Sequence, residues 1–287
     1  MSELHQQRPS DTSPLKVGWV FGLARSGTSI TAYAAACAAG AAVADEILGP
    51  WDRTGEPYHY PTEQAELVEL FKASHARLTP EIVLRTRSLF TQLAGEAKHI
   101  VSKHPHLRFT LSEFEEHFPD HQGVWIIRNP LRRLASIHAR GWTSIIRPNH
   151  DLDYFREYAD RWLSIESDRR VVFEHLRHDA HAYFSHVLNA WGWPNDRDTV
   201  ERAVRYQRAE YHGKSGEREA GRSTRRSLSD TKRLAPREAV ELYLGDPFMR
   251  DLFQRCGWDA NPRAYLPTTA QRIGNRLRGI RAGNRTG

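Results

Sequence analysis

Residues 17–33 read VGWVFGLARSGTSITAY. Residues 17–21 form an apolar run of strand length, and residues 28–39 are alanine-rich with helical character. Between them lie Gly22 and Gly27, at the G-x-x-x-x-G spacing of a phosphate-binding loop. The ordinary nucleoside-triphosphate loop continues with lysine, but here Thr28 stands in its place, followed by Ser29. The remaining physics is intact. Glycines let backbone N–H groups close around an anion, and the helix N-terminus adds its dipole. Arg25, Ser26, Thr28 and Ser29 offer further donors. The expectation is a site for a phosphate-like anion, held without the usual lysine and Mg²⁺.

A second strand–turn–helix follows at residues 124–140, VWIIRNPLRRLASIHAR. The apolar run over residues 123–127 is the clearest buried strand in the chain. It ends in Arg128, turns at Asn129-Pro130, and runs into a helix that carries Ser136 eight residues after the arginine. In a parallel sheet, ligands sit beyond the carboxyl ends of the strands. Arg128 and Ser136 are therefore candidates for a second phosphate. At least one of Arg132 and Arg133 reads more simply as a solvated arginine.

Around these two segments, strand-like and helix-like stretches alternate. Short strands are expected near residues 41–44, 99–102 and 171–173. A turn is expected at 103–105, and helices near 62–78, 81–97, 110–117, 131–140, 151–168, 179–191 and 236–255. Such alternation predicts an α/β fold of three layers, a central parallel sheet flanked by helices, in the P-loop-like class. Residues 1–14 read as a flexible lead, 15–267 as a single domain and 268–287 as a flexible basic tail. Residues 205–237, polar and arginine-rich, read as a long functional loop.

Composition narrows the function classes. The 287 residues carry 41 Lys+Arg against 35 Asp+Glu, a net charge of +6. Residues 268–287 hold five arginines and no acid, so the rest of the chain is close to neutral. That argues against nucleic acid as a partner, although the tail allows a weak contact with an anionic membrane surface. No apolar run reaches the ~18 residues of a membrane span. The opening MSELHQQRPSDTSP has no apolar core of a secretory signal, and two cysteines make no disulfide framework. A cytoplasmic protein is expected. Neither Cys37 nor Cys256 has metal-ligand spacing, so no metal is expected.

The two loop segments together resemble the sulfotransferases that use 3′-phosphoadenosine 5′-phosphosulfate (PAPS). Their 5′-phosphosulfate loop, P-[KR]-S-G-T-[ST], is matched by Ala24-Arg25-Ser26-Gly27-Thr28-Ser29. Their 3′-phosphate signature is matched by Arg128 and Ser136. Ser102 to His106 is similar to the family's lysine-containing segment after the third strand, and Val172 to Leu176 to its R-[YF]-E-D-L segment. The end of the body, residues 234–258, resembles the family's closing helix. Two departures are visible. Ala24 replaces the usual proline, and His104-Pro105-His106 does not follow the K-x-H-[LF]-P form of the cytosolic branch.

The resemblance implies sulfuryl transfer from PAPS to a hydroxyl or amine of a small-molecule, carbohydrate or lipid acceptor, with adenosine 3′,5′-bisphosphate as product and no metal. Arg25 is the candidate cation at the bridging oxygen, with Lys103 second. Ser26, Gly27, Thr28 and Ser29 would hold the 5′-phosphate, and Arg128 and Ser136 the 3′-phosphate. Arg222, Ser223, Arg225 and Arg226 in the long loop are further contact candidates. For the base, His106 and Glu46 rank together with His104 behind them. A histidine titrates near neutrality, whereas a glutamate needs its pKa raised by burial. Glu174 reads as structural, and the aromatic segment 51–60 is a candidate acceptor lining. Two other readings compete. One is a small-molecule P-loop kinase, which the missing loop lysine and the lack of a clear acidic Mg²⁺ ligand oppose. The other is a non-catalytic nucleotide-binding protein of the same fold.

Overall fold

The computed structural model describes residues 14–48, 62–74, 77–105, 111–138, 148–213 and 235–266. Five strands form one sheet: β1 (Lys16–Gly22), β2 (Ala42–Asp45), β3 (His99–Pro105), β4 (Gln122–Ile127) and β5 (Arg170–Val172). Their order is β2-β3-β1-β4-β5 and every pairing is parallel, as the alternating pattern requires. The three-layer α/β expectation holds.

The helices are α1 (Thr28–Ala39), α2 (Thr62–Ala73), α3 (Pro80–Ala94), α4 (Leu111–His117), α5 (Pro130–His138) and α6 (Pro148–Ser164). They continue with α7 (His175–His178), α8 (Ala180–Ala190), α9 (Arg197–Gly213), α10 (Arg237–Gly245) and α11 (Pro247–Arg255).

Side chains along the strands alternate between two cores. Trp19, Phe21, Trp125 and Ile127 enter one core together with Phe90, Phe114, Phe118 and Phe155. Val20, Val101, Val124 and Ile126 enter the other, against the alanines of α1 and against Phe184 and Trp191. A parallel sheet covered on both faces needs such apolar runs on every central strand. Close approach explains the small residues on the second face. A Cβ placed on Gly18 would meet the Trp191 ring at 2.6 Å, so the end of α8 packs directly on the β1 backbone.

Three sequence expectations need correction. The third strand does not stop at residue 102 but runs through Lys103 to Pro105, because it pairs with β1 along its whole length. The helix expected over 236–255 is two helices, α10 and α11. Asp246 ends the first, and its side chain caps the second by accepting from the Met249 N–H at 3.0 Å, with Pro247 in the first turn. The long loop expected over 205–237 is helical to Gly213, within a helix not foreseen from the sequence. Its signal was present: Val200, Ala203 and Val204 are the buried i, i+3, i+4 positions of α9 and pack in the core that contains α1. Of the two arginines after the turn, Arg133 is buried at 2% exposed while Arg132 is half-buried.

Candidate functional site

The strand order makes β1 the switch point. β3 lies on one side and β4 on the other, so the loop after β1 opens at the crevice where α/β sheets bind ligands. In that loop the Ser26 N–H donates to the Leu23 carbonyl at 3.0 Å, folding residues 23–26 into a tight turn. Gly27 takes φ 91° at the N-cap of α1. A Cβ there would sit 2.0 Å from the Phe173 ring, so both the backbone angle and the space demand glycine. No side chain caps α1, and its first turn holds no acid. The leading amides are therefore left for an anion. The hydroxyl of Ser26 is buried with no hydrogen-bond partner. Its hydrogen-bonding capacity is thus left unused by the rest of the protein.

Arg25 follows the same logic. It sits at φ 68°, in the left-handed region that costs a non-glycine residue energy. Its Nε donates to Ser136 Oγ at 3.2 Å, across 111 residues of sequence. Arg128, at the end of β4, donates from Nη1 to the Arg25 carbonyl at 2.6 Å. The Arg128 guanidinium lies over the Phe173 ring at 4.9 Å. Arg25, Gly27, Arg128, Ser136 and Phe173 thus meet at one point, drawn from β1–α1, β4–α5 and the end of β5.

Lys103 approaches from the other side. It is buried, and its Nζ lies 3.1 Å from Ser29 Oγ, 2.6 Å from Glu46 Oε1 and 2.7 Å from Asp45 Oδ1. Asp45 also accepts from the Tyr33 hydroxyl at 2.7 Å. Register explains the placement: Lys103 pairs with Val20 of β1 and Asp45 of β2, on the face that carries α1. Glu46 caps the end of β2 at φ 55°, its N–H bonded to the Lys103 carbonyl. Burial raises the Glu46 pKa; the ammonium of Lys103 opposes that rise and Asp45 adds to it. Among the described residues, Arg25 and Glu46 are the two non-glycine positions at positive φ.

His104 is not in the site. Because β3 continues past Ser102, Lys103 and His104 project to opposite faces. His104 is 1% exposed, shares a hydrogen bond with Ser102 Oγ at 3.1 Å and packs 5.2 Å from the Trp19 ring. Burial pushes its pKa down to about 3, which opposes a role as base near neutrality. His106, the aromatic segment 51–60, and Arg222, Ser223, Arg225 and Arg226 lie outside the described residues.

Beside Arg128 opens a cavity of about 410 Å³, lined by Phe173, Arg132, Arg177, His178, Gln207 and Arg208 among others. Arg177, Gln207 and Arg208 were not foreseen from sequence. α7 is only four residues long, and Gln207 and Arg208 belong to the unforeseen helix α9. Among the described residues there is no cluster of three His, Cys, Asp or Glu side chains able to hold a metal. Nor is any helix there long and apolar enough to cross a membrane.

No family model and no curated protein matches the chain. Solved structures superpose loosely. Sulfotransferase STF1 from Mycobacterium tuberculosis is 16% identical over 68% of this chain and 72% of its own, with a TM-score of 0.42. Mouse sulfotransferase SULT7A1, solved with PAP, is 10% identical over 86% and 88%, TM-score 0.43. A gluconokinase from Sinorhizobium meliloti is 14% identical over 69% and 97%, TM-score 0.32.

Proposed function

We propose that this protein transfers a sulfuryl group from PAPS to a hydroxyl or amine acceptor. The observation that carries the proposal is the convergence of Arg25, Arg128 and Ser136 beside a lysine-free anion loop whose Ser26 hydroxyl is buried and unpartnered. That loop, with glycine required at residue 27, fits a 5′-phosphosulfate. Arg128 and Ser136, two residues bound to the loop from the neighbouring strand and helix, suit the 3′-phosphate. The cavity lined by Arg132, Arg177 and Arg208 suits the nucleoside end. In this assignment residues 15–267 act as one catalytic domain.

PAPS supplies an activated sulfuryl group on a phosphosulfate anhydride. The new S–O or S–N bond forms to the acceptor as the anhydride S–O bond breaks, and negative charge grows on the departing phosphate oxygen. Arg25 neutralises that charge, and Lys103, already on Ser29 of the same helix start, adds to it. Glu46 takes the proton of the acceptor. Burial raises its pKa and so makes it a stronger base than an ordinary carboxylate, while the Lys103 ammonium opposes that rise. Arg25 and Lys103 together do the work that Mg²⁺ does in a kinase.

The test is a thermal-shift titration with adenosine 3′,5′-bisphosphate beside ADP and ATP, with and without Mg²⁺. A ligand at a hundred times its Kd raises stability by about 2.7 kcal/mol. The expected result is stabilisation by the bisphosphate, independent of Mg²⁺. Stabilisation by Mg-ATP alone would replace this function with that of a kinase. Arg128→Ala is expected to weaken bisphosphate binding far more than Lys103→Ala; equal losses would remove Arg128 from the 3′-phosphate.

A further inference from the structure

The carboxyl end of β4 has a feature that the phosphate contacts do not account for. The β4–β5 ladder reaches the bond from the Phe173 N–H to the Ile127 carbonyl, 2.8 Å. Beyond that point the Glu174 side chain stands where a strand carbonyl would: Oε2 accepts from the Asn129 N–H at 3.3 Å. The same oxygen accepts from the indole N–H of Trp258 at 3.0 Å. The Asn129 side chain is tied as well. Its Nδ2 donates to the Tyr265 hydroxyl at 2.8 Å, and its Oδ1 accepts from the Arg132 N–H at 3.1 Å. The Tyr265 hydroxyl in turn donates to the Asp259 carbonyl. Asn129 and Tyr265 are each 1% exposed, Glu174 6% and Trp258 7%.

We infer that the segment after α11, through Trp258 and Tyr265, positions Arg128 and thereby sets selectivity for a nucleotide with a 3′-phosphate. The inference rests on the proposed function. Asn129 is the residue immediately after Arg128, and both its backbone and its side chain are anchored, directly or through Glu174, to residues 258 and 265. The anion loop shares one tie with Arg128, the bond to the Arg25 carbonyl, but has further holds of its own in β1, the Leu23 carbonyl and the Phe173 ring. Loosening the segment should therefore disturb Arg128 more than the 5′-phosphate loop, which keeps its other holds. A packing role alone would weaken both ends of the nucleotide equally. Trp258 and Tyr265 are positioning residues in this scheme, with no contact to the ligand required.

Trp258→Phe removes the indole donor and keeps an aromatic ring; Tyr265→Phe removes only a hydroxyl. Binding of adenosine 3′,5′-bisphosphate and of AMP is measured calorimetrically for each variant and for the unaltered protein. Expected is a loss of about tenfold in affinity for the bisphosphate, the worth of about one hydrogen bond, with less than a twofold change for AMP. Equal loss for both ligands, or no loss for either in both variants, would overturn the inference. An unaltered protein that does not prefer the bisphosphate to AMP would overturn the PAPS assignment itself, and that result is separable because it needs no variant.

Discussion

Gly27, Glu46 and Lys103 show how much a single position carries. Gly27 combines φ 91° with a Phe173 ring 2.0 Å from where a Cβ would be. Gly27→Ala should therefore cost about 1–3 kcal/mol of stability and at least about tenfold in nucleotide affinity, read by thermal melting and by titration with adenosine 3′,5′-bisphosphate. Glu46 carries a pH dependence of its own. Its folded pKa is raised, so the folded state holds the proton more tightly than the unfolded chain. The stability that Glu46 contributes is full below the unfolded pKa of 4.5 and is lost as pH rises through the folded value. In the proposed reaction the dependence runs the other way, because only the carboxylate accepts a proton. The acid limb of kcat/KM should lie above the ordinary carboxylate range, and Glu46→Gln should remove that limb and lower kcat by about 10²–10⁴-fold. An unchanged pH profile in Glu46→Gln would move the base elsewhere, and His106 would be the next residue to substitute.

Elements are joined by a few buried polar links. Arg133 of α5 bonds Asp151 of α6, and Asp151 also accepts from the Tyr243 hydroxyl of α10 at 2.7 Å. Arg133 and Asp151 are 2% and 5% exposed, so removing one partner strands the other in the core. Asp151→Ala should cost about 3–5 kcal/mol in urea unfolding. Replacing the whole pair with apolar residues should cost far less. The elements also show where periodicity succeeds and fails. β1, β4 and α1 were readable because their apolar runs and glycines are local signals. α9 was passed over because its apolar face is only three residues wide amid charges, and its burial against α1 becomes evident only in three dimensions. Asp246-Pro247 carried a cap and a stop signal for two helices, where a continuous helical pattern suggested one.

At the scale of the whole molecule, two histidines buried in the first core should contribute to the response to acid. Burial lowers His104 to about 3 and His121 to about 4; His121 accepts the indole N–H of Trp19 at 2.9 Å. Both bind protons more readily once unfolded. Their contribution is complete above the unfolded value near 6.5 and is lost as pH falls toward the folded values. Between pH 7 and 4.5, His104 alone should remove on the order of 2–3 kcal/mol. His104→Gln should flatten that part of the profile of urea midpoint against pH. A variant profile as steep as that of the unaltered protein would assign acid sensitivity to other groups.

The sequence by itself determined the class of fold, and it carried the glycine-spaced loop after β1 and the eight-residue spacing from Arg128 to Ser136. Each depends on residues close together in the chain: two glycines five apart, a strand that runs into a helix, an arginine eight residues before a serine. Only the tertiary structure decided that Lys103 faces Ser29 and Glu46 while its neighbour His104 turns into the core. It alone showed that Arg25 meets Ser136, and that Glu174 ties the end of β4 to Trp258. Those contacts join residues 57 to 111 apart. They depend on strand order and register, and a shift of one residue in β3 would exchange the faces of Lys103 and His104. Local periodicity carries no record of which strand lies beside which, so that part of the site exists only once the sheet has assembled.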